Sequence, residues 1–190
     1  MSWPPPVDAA SSLAGMVDAV RPLLERRLQA MTWLSISADT PDLVARGLPD
    51  VVSFSGGVQL AFEDHAPLFL TWTRHIPYLL QPGLEADDWA PHVLDRTQAF
   101  TRMPWDGLEG RRLVAAALFS GPPDADSGGG VIGLRCALVA DDRAPALLWI
   151  GVGGAEGLRD GDDLWVGLVD PPNVAALQRL AHLTAESPAP

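Results

Sequence analysis

The sequence contains no lysine, a single cysteine and no long apolar run, and these absences exclude several classes of function. All 13 basic residues are arginines. A phosphate-binding loop needs a lysine on the terminal phosphates, and a pyridoxal enzyme needs a lysine for its Schiff base, so neither can be assembled. Cys136 has no second cysteine to pair with, so the chain does not require an oxidising compartment.

Signals for export or membrane insertion are also missing. The first 20 residues carry two aspartates and three prolines but no basic residue, which is unlike a secretory signal. No apolar stretch approaches the roughly 20 residues of a membrane span. We therefore expect a cytoplasmic protein without membrane contacts.

Negative charge predominates throughout the chain. The 24 acidic residues exceed the 13 basic ones, giving a formal charge of -11, and acid exceeds base on both sides of residue 95. A duplex-binding surface needs clustered positive charge, yet only Arg26-Arg27 and Arg111-Arg112 are adjacent. This pattern predicts that the protein binds no nucleic acid and attracts a basic partner.

The length and composition predict one folded domain. A chain of 190 residues with 47% hydrophobic residues and seven tryptophans can form one core of ordinary size. Pro4, Pro5 and Pro6 deny backbone donors to a helix or a sheet, so residues 1–10 are expected to form an extended arm. We place the domain at residues 11–184 and a frayed tail at 185–190.

Helical periodicity is clearest at the two ends of the domain, and within the loop of residues 76–110 a further helical piece is compatible with residues 91–100, where Pro91 suits a first turn. Apolar residues recur at helical spacing over residues 13–30, although Pro22 should kink or restart that helix. After Pro171-Pro172, apolar residues recur every three or four positions over residues 173–183, which predicts a short closing helix.

Between the two helices the sequence is typical of strands. Alternating or β-branched apolar runs are separated by Gly, Pro and Asp clusters, which favour antiparallel hairpins. The fold class predicted is therefore α+β, with an antiparallel sheet of about six to eight strands and a meander over residues 51–74. The runs fall at residues 33–36, 51–54, 58–62, 68–74, 111–119, 131–139, 146–151 and 164–169.

No catalytic or metal-binding constellation is recognisable. There is no nucleophile elbow of the Gly-x-Ser-x-Gly type, and Cys136 alternates with leucines on an apolar strand, which favours a buried, inert thiol. Gly128, Gly130 and Gly133 match a dinucleotide-binding spacing but lead into a strand instead of a helix. We predict no cofactor and no metal. The histidines, His65, His75, His92 and His182, lack metal-ligand spacing.

Acidic clusters between the predicted strands are the candidate interaction residues. Aromatic side chains anchor interfaces and charges steer the approach of a partner, which favours Trp89 with its acidic neighbours. Two plainer interpretations stay open, namely that Trp89 packs beneath a loop and that the acidic turns are only solvated. The predicted residues are Asp87, Asp88, Trp89, Asp141, Asp142, Asp160, Asp162 and Asp163.

The hairpins of residues 57–74 and 131–169, the acidic composition and the lack of a catalytic constellation are together similar to small bacterial immunity proteins of toxin systems. The resemblance covers somewhat over half of the chain and transfers no functional residue. It implies a cytoplasmic inhibitor that binds and blocks a basic toxin through acidic loops.

Two other classes of function stay open. One is a small-molecule-binding or hydrolytic enzyme with a pocket between the sheet and residues 76–110, using Asp64, His65 or His92. The other is a structural subunit that assembles through an apolar sheet edge or the proline arm. A deep pocket with two of those side chains converging would favour the enzyme. The sequence does not predict the oligomeric state.

Overall fold

The computed structural model describes residues 12–35, 50–54, 56–72, 80–82, 101–102, 107–121, 130–154, 157–158 and 164–185. Within these ranges the chain forms one α-helix, two short 3-10 helices and two antiparallel sheets. The predicted α+β class is confirmed, but the strands divide between two sheets instead of forming one. The predicted arm, residues 1–10, and most of the predicted tail lie outside the described residues.

The N-terminal helix α1 (Leu13–Val20) begins at a capping residue. The Ser12 Oγ accepts a hydrogen bond from the Gly15 N–H at 3.1 Å, which satisfies one of the free donors of the first turn. Because proline cannot continue the backbone ladder, a 3-10 helix (Arg21–Leu23) containing Pro22 ends the helix. The helix predicted over 13–30 is therefore confirmed in its first half, and residues 28–30 already belong to a strand.

The strands make up most of the other described residues, and every pairing between them is antiparallel. One sheet has five strands in the order β5-β4-β3-β1-β6, and the other has seven, in which β12-β7-β8-β9-β11-β2 run in order and β10 pairs with β9. Their bounds are β1 (Leu28–Ser35), β2 (Val51–Phe54), β3 (Gly56–Phe62), β4 (Leu68–Trp72), β5 (Leu80–Pro82), β6 (Thr101–Arg102), β7 (Arg112–Ser120), β8 (Gly133–Ala140), β9 (Arg143–Gly154), β10 (Gly157–Leu158), β11 (Leu164–Gly167) and β12 (Gln178–Thr184).

The meander predicted over residues 51–74 is only partly correct. β3 and β4 form the expected hairpin, with Val58 opposite Leu70, but β2 pairs with β11 in the other sheet. Gly56 and Gly57, which separate the predicted strands 51–54 and 58–62, lie inside β3. Gly57 is needed there because a Cβ at this position would lie 2.2 Å from the Phe69 ring.

The helix predicted over residues 173–183 is wrong. A single 3-10 turn (Val174–Ala176) is followed by β12, which pairs with β7 and places His182 opposite Ala117. Without β12 the backbone groups along this edge of β7 would lack partners. A register shift between Arg179 and Ala181 interrupts the alternation, and this irregular spacing is what resembled a helical period.

The two sheets and α1 enclose a common apolar core. Leu70 and Leu80 of the smaller sheet and Leu118 and Ile150 of the larger sheet are fully buried in one cluster with Met16 of the helix, and α1 packs against β5 and β7. The helix is eight residues long, and nowhere in the described part of the chain is a helix long and apolar enough to cross a bilayer.

Backbone hydrogen bonds also join the sheets at their margins. The Leu113 N–H bonds the Arg26 carbonyl at 3.0 Å and the Glu25 N–H bonds the Leu113 carbonyl at 2.8 Å, while the Leu80 N–H bonds the Val131 carbonyl at 2.8 Å. These bonds satisfy backbone groups that two separate sheets would leave open at their edges.

The adjacent arginines hold turns in place. Arg26 donates to the carbonyls of Glu63 and Asp64 at 2.9 and 3.1 Å. The buried Arg111 donates to the carbonyls of Gly107 and Ala144 at 2.6 and 2.5 Å. A planar guanidinium can serve two acceptors at once, so these side chains connect loops that lie far apart in sequence.

Candidate functional site

Asp141 and Asp142 are the predicted interaction residues that the structure describes. They form the exposed turn between β8 and β9, where the Asp142 side chain is 77% exposed. The Arg143 side chain donates a hydrogen bond to the Asp142 carboxylate at 3.2 Å, and this bond holds the pKa of Asp142 below its usual range. Asp142 therefore stays ionised, but its neighbour partly offsets the charge of the turn.

The other predicted residues, Asp87, Asp88, Trp89, Asp160, Asp162 and Asp163, lie outside the described residues. The described strands that flank the last three in the sequence are β10 and β11, and both meet β9 at its far end from Asp142. β9 has 12 residues, which extend over about 36 Å at the usual strand rise. β10 therefore ends, and β11 begins, at the opposite end of the larger sheet from Asp141-Asp142.

A second acidic segment attaches at the same end as residues 159–163. Phe119, near the end of β7, pairs with Gly133, the first residue of β8. Gly133 also pairs with Gly151, near the end of β9. The end of β7 and the start of β8 therefore lie beside the end of β9. Residues 122–129, which connect β7 to β8, contain Asp124 and Asp126. We call this end of the seven-stranded sheet, where β7 and β9 end and β8 and β11 begin, the acidic end.

The described residues and the other residues of the chain differ in net charge. The described residues contain nine acidic side chains and nine arginines, so their formal charges cancel. The remaining 15 acidic residues and four arginines lie in the other segments and account for the whole formal charge of -11. Asp124 and Asp126 were not among the predicted interaction residues, although the placement of acids between strands could have indicated them.

Two of the three residues named in the alternative enzyme hypothesis lie in an exposed turn. Asp64 and His65 lie between β3 and β4, both exposed, and Asp64 has a φ of 52°. The His65 Nδ1 lies 2.8 Å from the carbonyl oxygen of Ala66, the next residue. His92 and residues 83–100 lie outside the described residues, so a pocket formed with them stays a prediction.

Cys136 is buried on the face of β8 that points into the core. Its exposure is 2%, and desolvation by burial raises the pKa of its thiol to about 12. Because the thiolate is the nucleophilic form, this side chain is unreactive in the folded protein. The prediction of a buried thiol is confirmed.

The outer face of the seven-stranded sheet carries an aromatic cluster. Trp149 and Trp165 are fully buried there, and each lies opposite a glycine of the neighbouring strand, Gly167 and Gly151 respectively. The rings of Phe119 and Trp149 are 4.9 Å apart between centroids and inclined by 42°. Since neither indole N–H has a hydrogen-bond partner in the described part of the chain, apolar packing fixes these rings.

The connector formed by residues 168–177 covers this cluster as it passes from β11 to β12. Val174 and Leu177 pack on the aromatic residues. Asp170 of the connector lies 3.1 Å from the Nε of Arg135 on β8, close enough for an ion pair although not aligned as a hydrogen bond. Trp72, Trp149 and Trp165, which lie in the apolar runs predicted to be strands, are all buried.

Beyond the connector, the same face forms an open groove with a volume of about 300 Å³. Alanines of β7 and β8 form its floor, because Ala115 pairs with Ala137 and Ala117 pairs with Arg135. Longer side chains of β12 and β9 rise on either side. The groove is lined by Ala115, Ala117, Phe119, Arg135, Cys136, Ala137, Pro145, Ala146, Leu147, Arg179 and His182. We call this feature the alanine groove.

The alanine groove was not predicted from the sequence. Period-two spacing places Ala115 and Ala117, and likewise Arg135 and Ala137, on one face of their strands. Arg179 and His182 were assigned to a helix, however, so their position beside β7 could not be recognised. Nothing in the described ranges groups three histidine, cysteine or carboxylate side chains as metal ligands.

Comparison of the chain with protein-family models, with curated proteins and with solved structures gave no match.

Proposed function

We propose that this protein is a protein-binding module that blocks a basic partner through the acidic segments at the acidic end. The observation that carries the proposal is the excess of aspartates in two segments of sequence that lie between described strands, residues 122–129 and 159–163, which carry five aspartates and one arginine. Acidic charge that is not balanced by neighbouring arginines attracts a basic partner.

The ends of the described strands support this location for the proposed surface. Residues 122–129 and 159–163 both attach where β7 and β9 end, and between them they carry Asp124, Asp126, Asp160, Asp162 and Asp163 against one arginine, Arg159. Carboxylates of one sign that lie near each other reinforce one another toward an approaching cation. Asp87-Asp88-Trp89 belongs to the same proposal, with the tryptophan as anchor.

Asp141 and Asp142 are a separate and weaker contact in this proposal. They attach to the opposite end of β9, and Arg143 pairs with Asp142. A partner that contacts the acidic end does not reach this turn unless it extends along the whole sheet. The similarity to bacterial immunity proteins supports inhibition of a toxin as the result of binding.

The proposal is tested with two variants that each remove three negative charges. The loop variant carries Asp160→Asn, Asp162→Asn and Asp163→Asn, and the framework variant carries Asp18→Asn, Glu63→Gln and Asp64→Asn at exposed positions. Immobilised wild-type protein is used to recover its partner from an extract of the native cell, and the purified partner is then titrated against all three proteins at two salt concentrations.

We expect a partner with a basic surface. The loop variant should weaken its affinity about tenfold or more at low salt, chiefly through slower association, because steering charges act on the encounter rate. The framework variant should stay within about twofold of wild type. Recovery of a neutral or acidic partner, or equal losses in the two variants, would show that the acidic end is not the binding surface.

A further inference from the structure

The alanine groove differs from the rest of the molecule in the sign of its charge. Three of its lining side chains, Arg135, Arg179 and His182, carry or can carry positive charge, and no lining residue is acidic. They converge from β8 and β12 because the β12–β7–β8 register places His182, Ala117 and Arg135 in one row. We propose that this groove binds a small organic anion, a carboxylate or phosphate on a compact apolar body.

Two of the three side chains are available to a ligand. Arg179 and His182 are exposed and form no ion pair or hydrogen bond with other parts of the chain that the structure describes. Arg135 is shared with Asp170, and its side chain remains 42% exposed. A guanidinium matches the paired oxygens of a carboxylate or phosphate, so Arg179 supplies the main contact and Arg135 the second.

The overall charge of -11 does not prevent anion binding here. No residue that lines the groove is acidic, and the described residues contain equal numbers of acidic side chains and arginines. Exposed charges separated by more than about 8 Å are largely screened at physiological ionic strength. The side chains in direct contact with the ligand therefore determine the sign of the electrostatic potential in the groove.

The apolar walls and the volume of the groove limit the size and the chemistry of the uncharged part of the ligand. Pro145 and Leu147 on one side and Phe119 at one end give the groove apolar walls above the alanine floor. A volume of about 300 Å³ is at the lower limit of small-molecule pockets. The groove therefore fits one ring or a short branched chain joined to a single anionic group.

The probes for this site are benzoate, phenyl phosphate and the neutral benzyl alcohol, each titrated into the full chain. Binding is followed through the NMR signals of the alanine methyl groups, which include Ala115, Ala117 and Ala137 on the floor. We expect saturable shifts at the floor methyls with at least one of the two anions, and about tenfold or weaker binding of the alcohol, since it lacks the charge-assisted contact. Comparison of the two anions distinguishes carboxylate from phosphate ligands.

Three variants complete the test. Arg179→Gln should weaken anion binding about tenfold, while Arg21→Gln, the same loss of charge near the end of α1, should leave it within about twofold. Ala137→Leu, at an exposed floor position, should abolish binding by filling the groove without disturbing the core. Equal binding of benzyl alcohol, equal effects of the two arginine variants, or no shift at millimolar ligand would overturn the proposal. Capture of a basic partner should be unaffected by Arg179→Gln, so the two proposals can fail separately.

Discussion

Gly57 and Phe69 form a contact between neighbouring strands that depends on one missing methyl group. The aromatic ring of Phe69, on β4, lies over the α-carbon of Gly57, on β3, and is 3% exposed. A Cβ at residue 57 would approach the ring carbons to 2.2 and 2.6 Å, closer than packed atoms tolerate. A ring buried in a packed interior has little room to move.

Gly57→Ala is expected to destabilise the protein by about 1 to 3 kcal/mol, the usual range for overpacking a core. Urea unfolding measures the change in the free energy of unfolding. Phe69→Leu removes the ring atoms that the new methyl group would meet, so Gly57→Ala should have a smaller effect in that background. A double-mutant cycle gives the coupling between the two sites. Additive effects would show that the contact does not limit residue 57.

Sequence patterns predicted some residue environments and not others. Trp149 and Trp165 could be assigned to the interior because they occupy apolar runs typical of strands. Their pairing with Gly167 and Gly151 could not be predicted, since each pair joins different strands and depends on the register between them. Gly57 was misassigned for the same reason, because its function depends on a ring 12 positions away.

Among the secondary-structure elements, β12 is the one at which the structure differs most from the sequence-based prediction. The apolar residues of 173–183 fit a helical period, but the segment is a strand at the edge of the larger sheet. On this strand Leu183 points into the core and is 4% exposed, whereas its neighbour His182 is exposed on the groove side.

Leu183→Ala should lower the free energy of unfolding by about 2 to 3 kcal/mol, as truncation of a buried leucine does. His182→Ala should change it by less than about 0.5 kcal/mol, since the side chain is exposed. Chemical denaturation of both variants provides the measurement. Similar effects of the two substitutions would contradict the alternation of a strand.

Local sequence patterns predicted the sheet correctly where strands that are neighbours in the sheet also follow one another in the chain. β7, β8 and β9 pair in sequence order, so their alternation and intervening turns were sufficient. Prediction failed at β2 and β12, whose partners β11 and β7 are distant in sequence. The alanine groove depends on one of these distant pairings, and it was missed together with β12.

At the scale of the whole molecule, α1 and both sheets contribute to one core, with backbone hydrogen bonds between the sheets. We expect a single cooperative unfolding transition, as small domains with one core usually show. Trp72→Phe removes a fluorophore of the smaller sheet, and Trp149→Phe removes one of the larger sheet. The fluorescence transition of each variant should coincide with its circular dichroism transition.

Two separated transitions would contradict a common core. The predicted single domain at residues 11–184 would then have to be divided. The sequence could only suggest this boundary, since composition and length are compatible with one core but do not show which strands share it.

The pairing of β2 with β11 joins Val51 to Gly167, 116 positions further along the chain. Closing so long a loop is entropically unfavourable before its contacts form, and proteins with many such pairings fold slowly. The β3–β4 and β8–β9 hairpins are local and can form early. During synthesis, β7 keeps an open edge until β12 has left the ribosome, so the nascent chain is exposed to strand-to-strand aggregation for as long as that partner strand is missing.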